Sequence, residues 1–145
     1  MNREKRCDPR RCIEYEIPGG WRVLAGKTDA DNDFVSLKVA KPRDWWFHVR
    51  GMPGSHVLLL AEQDQEPDRE ALKRAAAIAA YHSKARTGGM VPVSCTRAQY
   101  VTKARGTKAG SVQIRKEIVL KVHPPAPEQM MEMRAAANRQ FDESP

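Results

Sequence analysis

Asp44, His48, Ser55 and His56 crowd one short stretch of the chain, and they are the residue types a hydrolase uses as orienting acid, base and nucleophile. The surrounding Pro53-Gly54-Ser55-His56-Val57 is not the GxSxG elbow, and its serine follows a turn into a strand instead of entering a helix. A serine and a histidine at a tight turn more often satisfy backbone groups. A metal-assisted or serine hydrolase built on His48, Ser55 and His56 stands as the alternative reading. His48, His56, His82 and Cys95 match no ligand spacing, and Cys7 and Cys12 form a C-x4-C without a second pair. Asp29, Asp31 and Asp33 alternate as at the start of a calcium loop, but Phe34 stands where glycine is needed and Ala40 where a bidentate glutamate is needed. No catalytic residue, metal or cofactor is expected.

Two other groups suit a polyanion. Lys103 to Gly110, KARGTKAG, sets Lys103, Arg105 and Lys108 among two glycines, so backbone N–H groups and cations can approach one phosphate together. It lacks the GxxxxGK(S/T) order of a nucleotide-binding loop, and a surface hairpin with incidental charge is the competing reading. Trp46, His48 and Arg50 share one side of an alternating run, where ring and guanidinium would stack on unpaired bases. Burial of Trp46 beneath a C-terminal helix is the competing reading.

Charge placement favours the polyanion. The net charge is +7, yet between Lys84 and Lys121 nine cations stand against Glu117 alone, a local +8 that leaves the rest of the chain at −1. Clustered Lys and Arg gain by releasing counterions from phosphates. No basic amphipathic helix with a bulky apolar face accompanies this charge, so a membrane partner is not expected. The absence of a long apolar run or an apolar leader, and three cysteines too few for a disulfide framework, lead to the expectation of a cytoplasmic protein with reduced thiols.

The elements that position these residues are readable from periodicity. At 145 residues the chain is of single-domain size. Residues 1–14 read as a flexible basic arm, 15–124 as the folded domain, and 125–145 as a proline-rich linker with a helical tail. Strands are expected near Tyr15–Ile17, Trp21–Ala25, Trp45–Arg50, Ser55–Ala61, Val91–Thr96, Gln99–Thr102 and Ser111–Val122. The aspartates from Asp29 to Asp33 would cap a short helix running to Val39. The spacing of Leu72, Ala75, Ala76, Ala79 and Ala80 predicts a helix over Asp68–Arg86, ended by Gly88 and Gly89, whose small face approaches a sheet closely. A further helix over Glu128–Phe141 would offer Met130, Met131, Met133 and Phe141 as apolar contacts; the spacing leaves open whether this tail docks on the domain or is mobile, and docking on a protein partner would make the chain an interaction adaptor. The fold class is α+β: one domain, a mostly antiparallel sheet packed by one alanine-rich helix.

Four motifs in order, GKTDADND at Gly26–Asp33, DWWFHVRGMPGSHV at Asp44–Val57, AAYHSKAR at Ala79–Arg86 and YVTKARGTKAGSV at Tyr100–Val112, resemble the NFACT-R domain. The resemblance implies an RNA-binding module. Large members of that family are ribosome-associated quality-control proteins that join this domain to an N-terminal domain, helical hairpins and a coiled coil. Together these bind tRNA and the large ribosomal subunit while alanine-rich tails are added to stalled chains. Small stand-alone relatives are thought to serve tRNA modification as non-catalytic subunits. The expectation is that RNA binding, to tRNA or rRNA, carries over and ribosome rescue does not. The partners implied are RNA, an RNA-modifying enzyme or the ribosome. Lys27, Asn32, Asp33, Asp44, Trp46, His48, Gly54, Ser55, His56, Ser83, Arg86, Lys103, Lys108 and Gly110 fall at family-motif positions. With the charge-bearing neighbours, the expected RNA-binding set is Lys27, Asn32, Trp46, His48, Arg50, Ser55, His56, Ser83, Lys84, Arg86, Lys103, Arg105 and Lys108. Thr28 departs from the family, which usually carries asparagine there.

Overall fold

A computed structural model of the chain describes residues 7–62 and 65–142. In chain order, strands β1 (Cys12–Ile17) and β2 (Trp21–Gly26) form a hairpin across the turn at Pro18-Gly19-Gly20. Helix α1 (Asp29–Asp33) runs directly into a π-helical segment, Phe34–Val39. Strands β3 (Trp45–Val49) and β4 (Val57–Leu59) make the second hairpin. Helix α2 (Arg69–Tyr81) precedes β5 (Val91–Arg97), the short ribbon β6 (Val101–Thr102) and β7 (Gln113–Ile114), then β8 (Ile118–Val122) and α3 (Pro127–Asp142). The main sheet has the order β1-β2-β4-β3-β5-β8 and every pairing in it is antiparallel, in agreement with the expected α+β class.

Alternation along the strands divides the core in two. Tyr15, Val23, Phe47, Val57, Leu59, Val93 and Leu120 face α2, whose Ala71, Ala75, Ala76, Ala79 and Ala80 are buried against them. Alanine lets the helix axis approach the sheet, and the Asp68 carboxylate caps its start by accepting from the Ala71 N–H at 2.9 Å. Leu24, Leu58 and Trp46 face the other way, into a second cluster closed by Val35, Val101, Cys7 and Cys12. The sheet is therefore covered on both sides, the second cover being the π-helical segment and the chain around β6 and β7.

Several expectations are corrected. Strand β1 begins at Cys12, inside the stretch read as an arm; residues 1–6 of that stretch lie outside the described residues. Cys7 and Cys12 are buried and joined by a disulfide, against the expectation of reduced thiols, while Cys95 is free and buried. The α1 cap is Thr28, whose hydroxyl accepts from the Asp31 N–H at 3.1 Å, so the aspartates lie within the helix they were expected to cap. Helix α2 ends at Tyr81, well before Gly88 and Gly89, because Ser83 is drawn into a bridge with Gly54. The strand expected over Ser111–Val122 is broken at Lys116, whose φ of 55° is left-handed. The C-terminal helix forms and docks on β1: Met130 and Ala137 are buried and the Arg134 guanidinium donates to the Glu14 carbonyl at 3.1 Å, leaving Met131 exposed.

Candidate nucleic-acid interface

The joint between β2 and α1 is built around Asn32. Its Oδ1 accepts from the His56 N–H at 3.0 Å and its amide nitrogen donates to the Gly54 carbonyl at 3.3 Å, tying α1 to the chain entering β4. Gly26 permits this approach, since a Cβ there would collide with Asn32 Oδ1. The Ser55 hydroxyl closes the same joint by donating to the Gly26 carbonyl at 2.7 Å, and the Ser55 N–H donates to the His82 carbonyl at 3.2 Å. Ser83 shapes the turn after α2: its hydroxyl donates to the Ala80 carbonyl and accepts from the Ala85 N–H.

These bonds draw three distant segments around one open cleft of about 360 Å³. Six of the thirteen residues named from the sequence line it: Lys27, Asn32, Ser55, Ser83, Lys84 and Arg86. Lys27, Lys84 and Arg86 are exposed, so their charges face solvent, while Asn32 and Ser83 are buried and serve the frame. Lys27 Nζ donates to the Pro9 carbonyl at 2.8 Å, which engages one of its three N–H donors and leaves two for a ligand. Thr28 holds the turn by capping α1 through its hydroxyl.

The glycine loop is pinned to the same helix. Asp33 accepts from the Gly110 N–H at 3.0 Å with one oxygen and pairs with Lys103 Nζ at 3.2 Å with the other. Lys103 also donates to the carbonyls of Lys108 and Ser111, at 2.7 and 2.9 Å. Gly110, at φ 86°, packs against Asp29, a residue of the cleft wall. Lys103 thus spends its charge holding the loop, and Arg105 and Lys108 are the cations it exposes.

The aromatic group is placed differently from the stacking expectation. Trp46 is 3% exposed and its indole N–H donates to Ser36 Oγ at 2.9 Å, beneath the π-helical segment and not beneath the tail helix. His56, also 3% exposed, bonds Ser36 through Nδ1 at 2.8 Å, and its ring meets those of Trp46 and His48 edge-on. Burial, with the nearby His48, pushes the His56 pKa down to about 4, so the ring is neutral at physiological pH. Neither Trp46 nor His56 presents a face to a base. Half-buried His48 is likewise lowered by burial. Arg50 is exposed 3.4 Å from Glu117, outside the cleft.

The nucleophile–base pairing that the hydrolase reading needs is not made: Ser55 is bonded to Gly26, and His56 to Ser36 in the interior. Among the described residues, no three His, Cys, Asp or Glu side chains converge to hold a metal. Asp44, fully buried, accepts from the N–H groups of Lys41 and Ala61 and so is a structural acid. Sequence reasoning passed over Ser36 and the clamping role of Asp33, whose partners lie far along the chain. The acid-rich run after Gly26 carried the only signal for Asp33, and none marked Ser36.

Fold and site define a small α+β module that carries cations on a helix-braced cleft and on a glycine loop pinned beside it. The chain belongs to the NFACT-R family: residues 14–116 match the family model described as the NFACT protein RNA binding domain. It is 38% identical over 112 residues to the Rqc2 homolog RqcH of Bacillus subtilis (strain 168), covering 77% of this chain and 19% of that protein. The Rqc2 homolog RqcH of Streptococcus suis (strain 05ZYH33) is 38% identical over 120 residues, covering 83% of this chain and 21% of that protein. The chain therefore spans about a fifth of the length of these relatives. A solved structure, the C-terminal part of the fibronectin/fibrinogen-binding protein from Streptococcus suis, superposes with a TM-score of 0.78 at 34% identity, over 92% of this chain and 53% of that one.

Proposed function

We propose that this chain is a non-catalytic RNA-binding module that grips the phosphate and ribose backbone of tRNA or rRNA in the cleft between α1 and the end of α2. The observation that carries the reading is the convergence of Lys27, Ser55, Lys84 and Arg86, from three separate motifs, on one cleft. Lys27, Lys84 and Arg86 supply charge-assisted donors to phosphate oxygens, and Ser55 stands beside them as a polar contact for a ribose hydroxyl. Arg105 and Lys108 extend the cationic track along the pinned loop. With Trp46 buried, recognition rests on backbone and shape more than on base stacking.

Family membership and likeness to Rqc2 homologs support an RNA-binding role in ribosome quality control, in the cytoplasm; presenting tRNA to a separate modifying enzyme is the alternative setting for the same cleft. Among the described residues no helix is long and apolar enough to cross a membrane. The test is anisotropy of labelled tRNA titrated with the protein over a salt series starting at about 50 mM, where phosphate-directed binding gives a linear loss of log K with log salt. No binding at the lowest salt would sink the proposal.

A further inference from the structure

The two edges of the main sheet are treated differently. At β1 the edge is covered by α3, with Arg134 on the Glu14 carbonyl. At the other end, among the described residues, β8 pairs only with β5 and carries two of the four exposed large hydrophobics, Ile118 and Val119. An open strand edge is a template for another strand.

The direction of its free backbone groups follows from Pro92. The Pro92 carbonyl accepts from the Arg50 N–H at 3.0 Å, so this residue of β5 points toward β3 and away from β8. Its partner in register is Lys121, and two residues along Ser94 faces Val119. In an antiparallel ladder a residue's N–H and C=O point to the same side. Val119 and Lys121 therefore aim both groups outward, while Ile118, Leu120 and Val122 bond inward to β5.

A lysine on an edge commonly repels a second strand. Here its placement does the reverse for one particular partner. An antiparallel β8 from a second copy, centred on Val119, sets Val119 opposite Val119, Ile118 opposite Leu120, and Glu117, the residue before β8, opposite Lys121 twice over; Glu117 already accepts from Ser94 Oγ and pairs with Arg50 at 3.4 Å through one oxygen, so the Lys121 contact falls to its other oxygen. The centre is a hydrogen-bonded pair, which is what outward groups on Val119 require. Opposite charges directly across a ladder favour pairing, and like charges oppose it. The left-handed turn at Lys116 limits the ladder to about five residues a side.

We propose that β8 is a self-association edge, through which two copies join their sheets about a two-fold axis at Val119. A short seam of this size makes a weak, concentration-dependent dimer.

Sedimentation of the nuclease-treated full chain over a concentration series tests this apart from RNA binding. Val119→Pro removes the central donor while sparing the bonds to β5, and with Lys121→Glu it is expected to lower the association constant roughly tenfold or more. Glu117→Lys alone does the same, and mixing it with Lys121→Glu restores dimer, since each end of the mixed seam again carries opposite charges. Far-ultraviolet dichroism checks each fold; should Glu117→Lys fail to fold, the other two variants decide. A chain monomeric up to about 1 mM, a dimer indifferent to Val119→Pro, or a folded mixture no more associated than its components would overturn the proposal.

Discussion

Gly54 faces Ser83 across an isolated antiparallel bridge, and that contact joins the β3–β4 turn to the end of α2. A Cβ on Gly54 would lie 3.1 Å from the His82 carbonyl and 3.3 Å from Ser83 Cβ. Gly54→Ala is expected to push the Lys84–Arg86 wall outward, costing about 1–2 kcal/mol of stability together with RNA affinity. Urea unfolding and an RNA titration read the two effects, and an unchanged midpoint would show that the segments are not in contact there.

Asn32→Ala removes both bonds that tie α1 to β4 and strands the His56 N–H and the Gly54 carbonyl. Each stranded group costs roughly 1–3 kcal/mol. Denaturation should reveal a large loss, and a change below about 0.5 kcal/mol would remove Asn32 from the frame.

Lys103 and Arg105 should separate structure from binding. Lys103→Met frees the loop from Asp33, so amide exchange at Gly110 is expected to quicken and RNA affinity to fall. Arg105→Ala should leave exchange and melting unchanged while lowering the salt slope by about 1. Identical behaviour of the two variants would contradict the pinned-loop geometry.

Acid should loosen the fold through its buried histidines, His56 and His82 foremost, with a smaller part from His48. Burial pushes His56 and His82 down to about 4, the charges of Arg86 and Arg134 adding to the effect at His82. The unfolded chain takes up protons near pH 6.5 that the folded chain refuses, so the stability these histidines leave intact above that pH falls as pH drops toward about 4, and their contribution levels off below. The loss is about 3 kcal/mol per histidine. His82→Gln, which keeps a hydrogen-bonding group for the Tyr15 hydroxyl at 2.6 Å in the native contact, should roughly halve the slope of stability against pH in that window. An undiminished slope would deny His82 its part.

The sheet, α2 and the existence of the C-terminal helix were legible in the sequence because periodicity and capping are local; where that helix docks was not. Asp68 and the alanine spacing mark α2 without tertiary information, whereas its end at Tyr81 is set by Gly54, far away in sequence. For Trp46 the alternation assigned the right side of β3 but not its surroundings, since a period of two cannot distinguish solvent from a second covering layer. That layer is a π-helical segment, and no spacing rule announces one. The cleft's cations were readable as motif residues. The pairing of Lys103 with Asp33 was not readable, because that anion lies far back along the chain.

The central claim is that the cleft cations hold RNA, and the triple variant Lys27→Ala, Lys84→Ala, Arg86→Ala tests it most directly. All three side chains are exposed, so the fold should survive, as a thermal melt would verify. If each neutralises one phosphate, the slope of log K against log salt should become shallower by about 2 to 3, and affinity for tRNA near 0.15 M salt should fall at least about tenfold. A folded triple variant with unchanged affinity and unchanged slope would contradict the account.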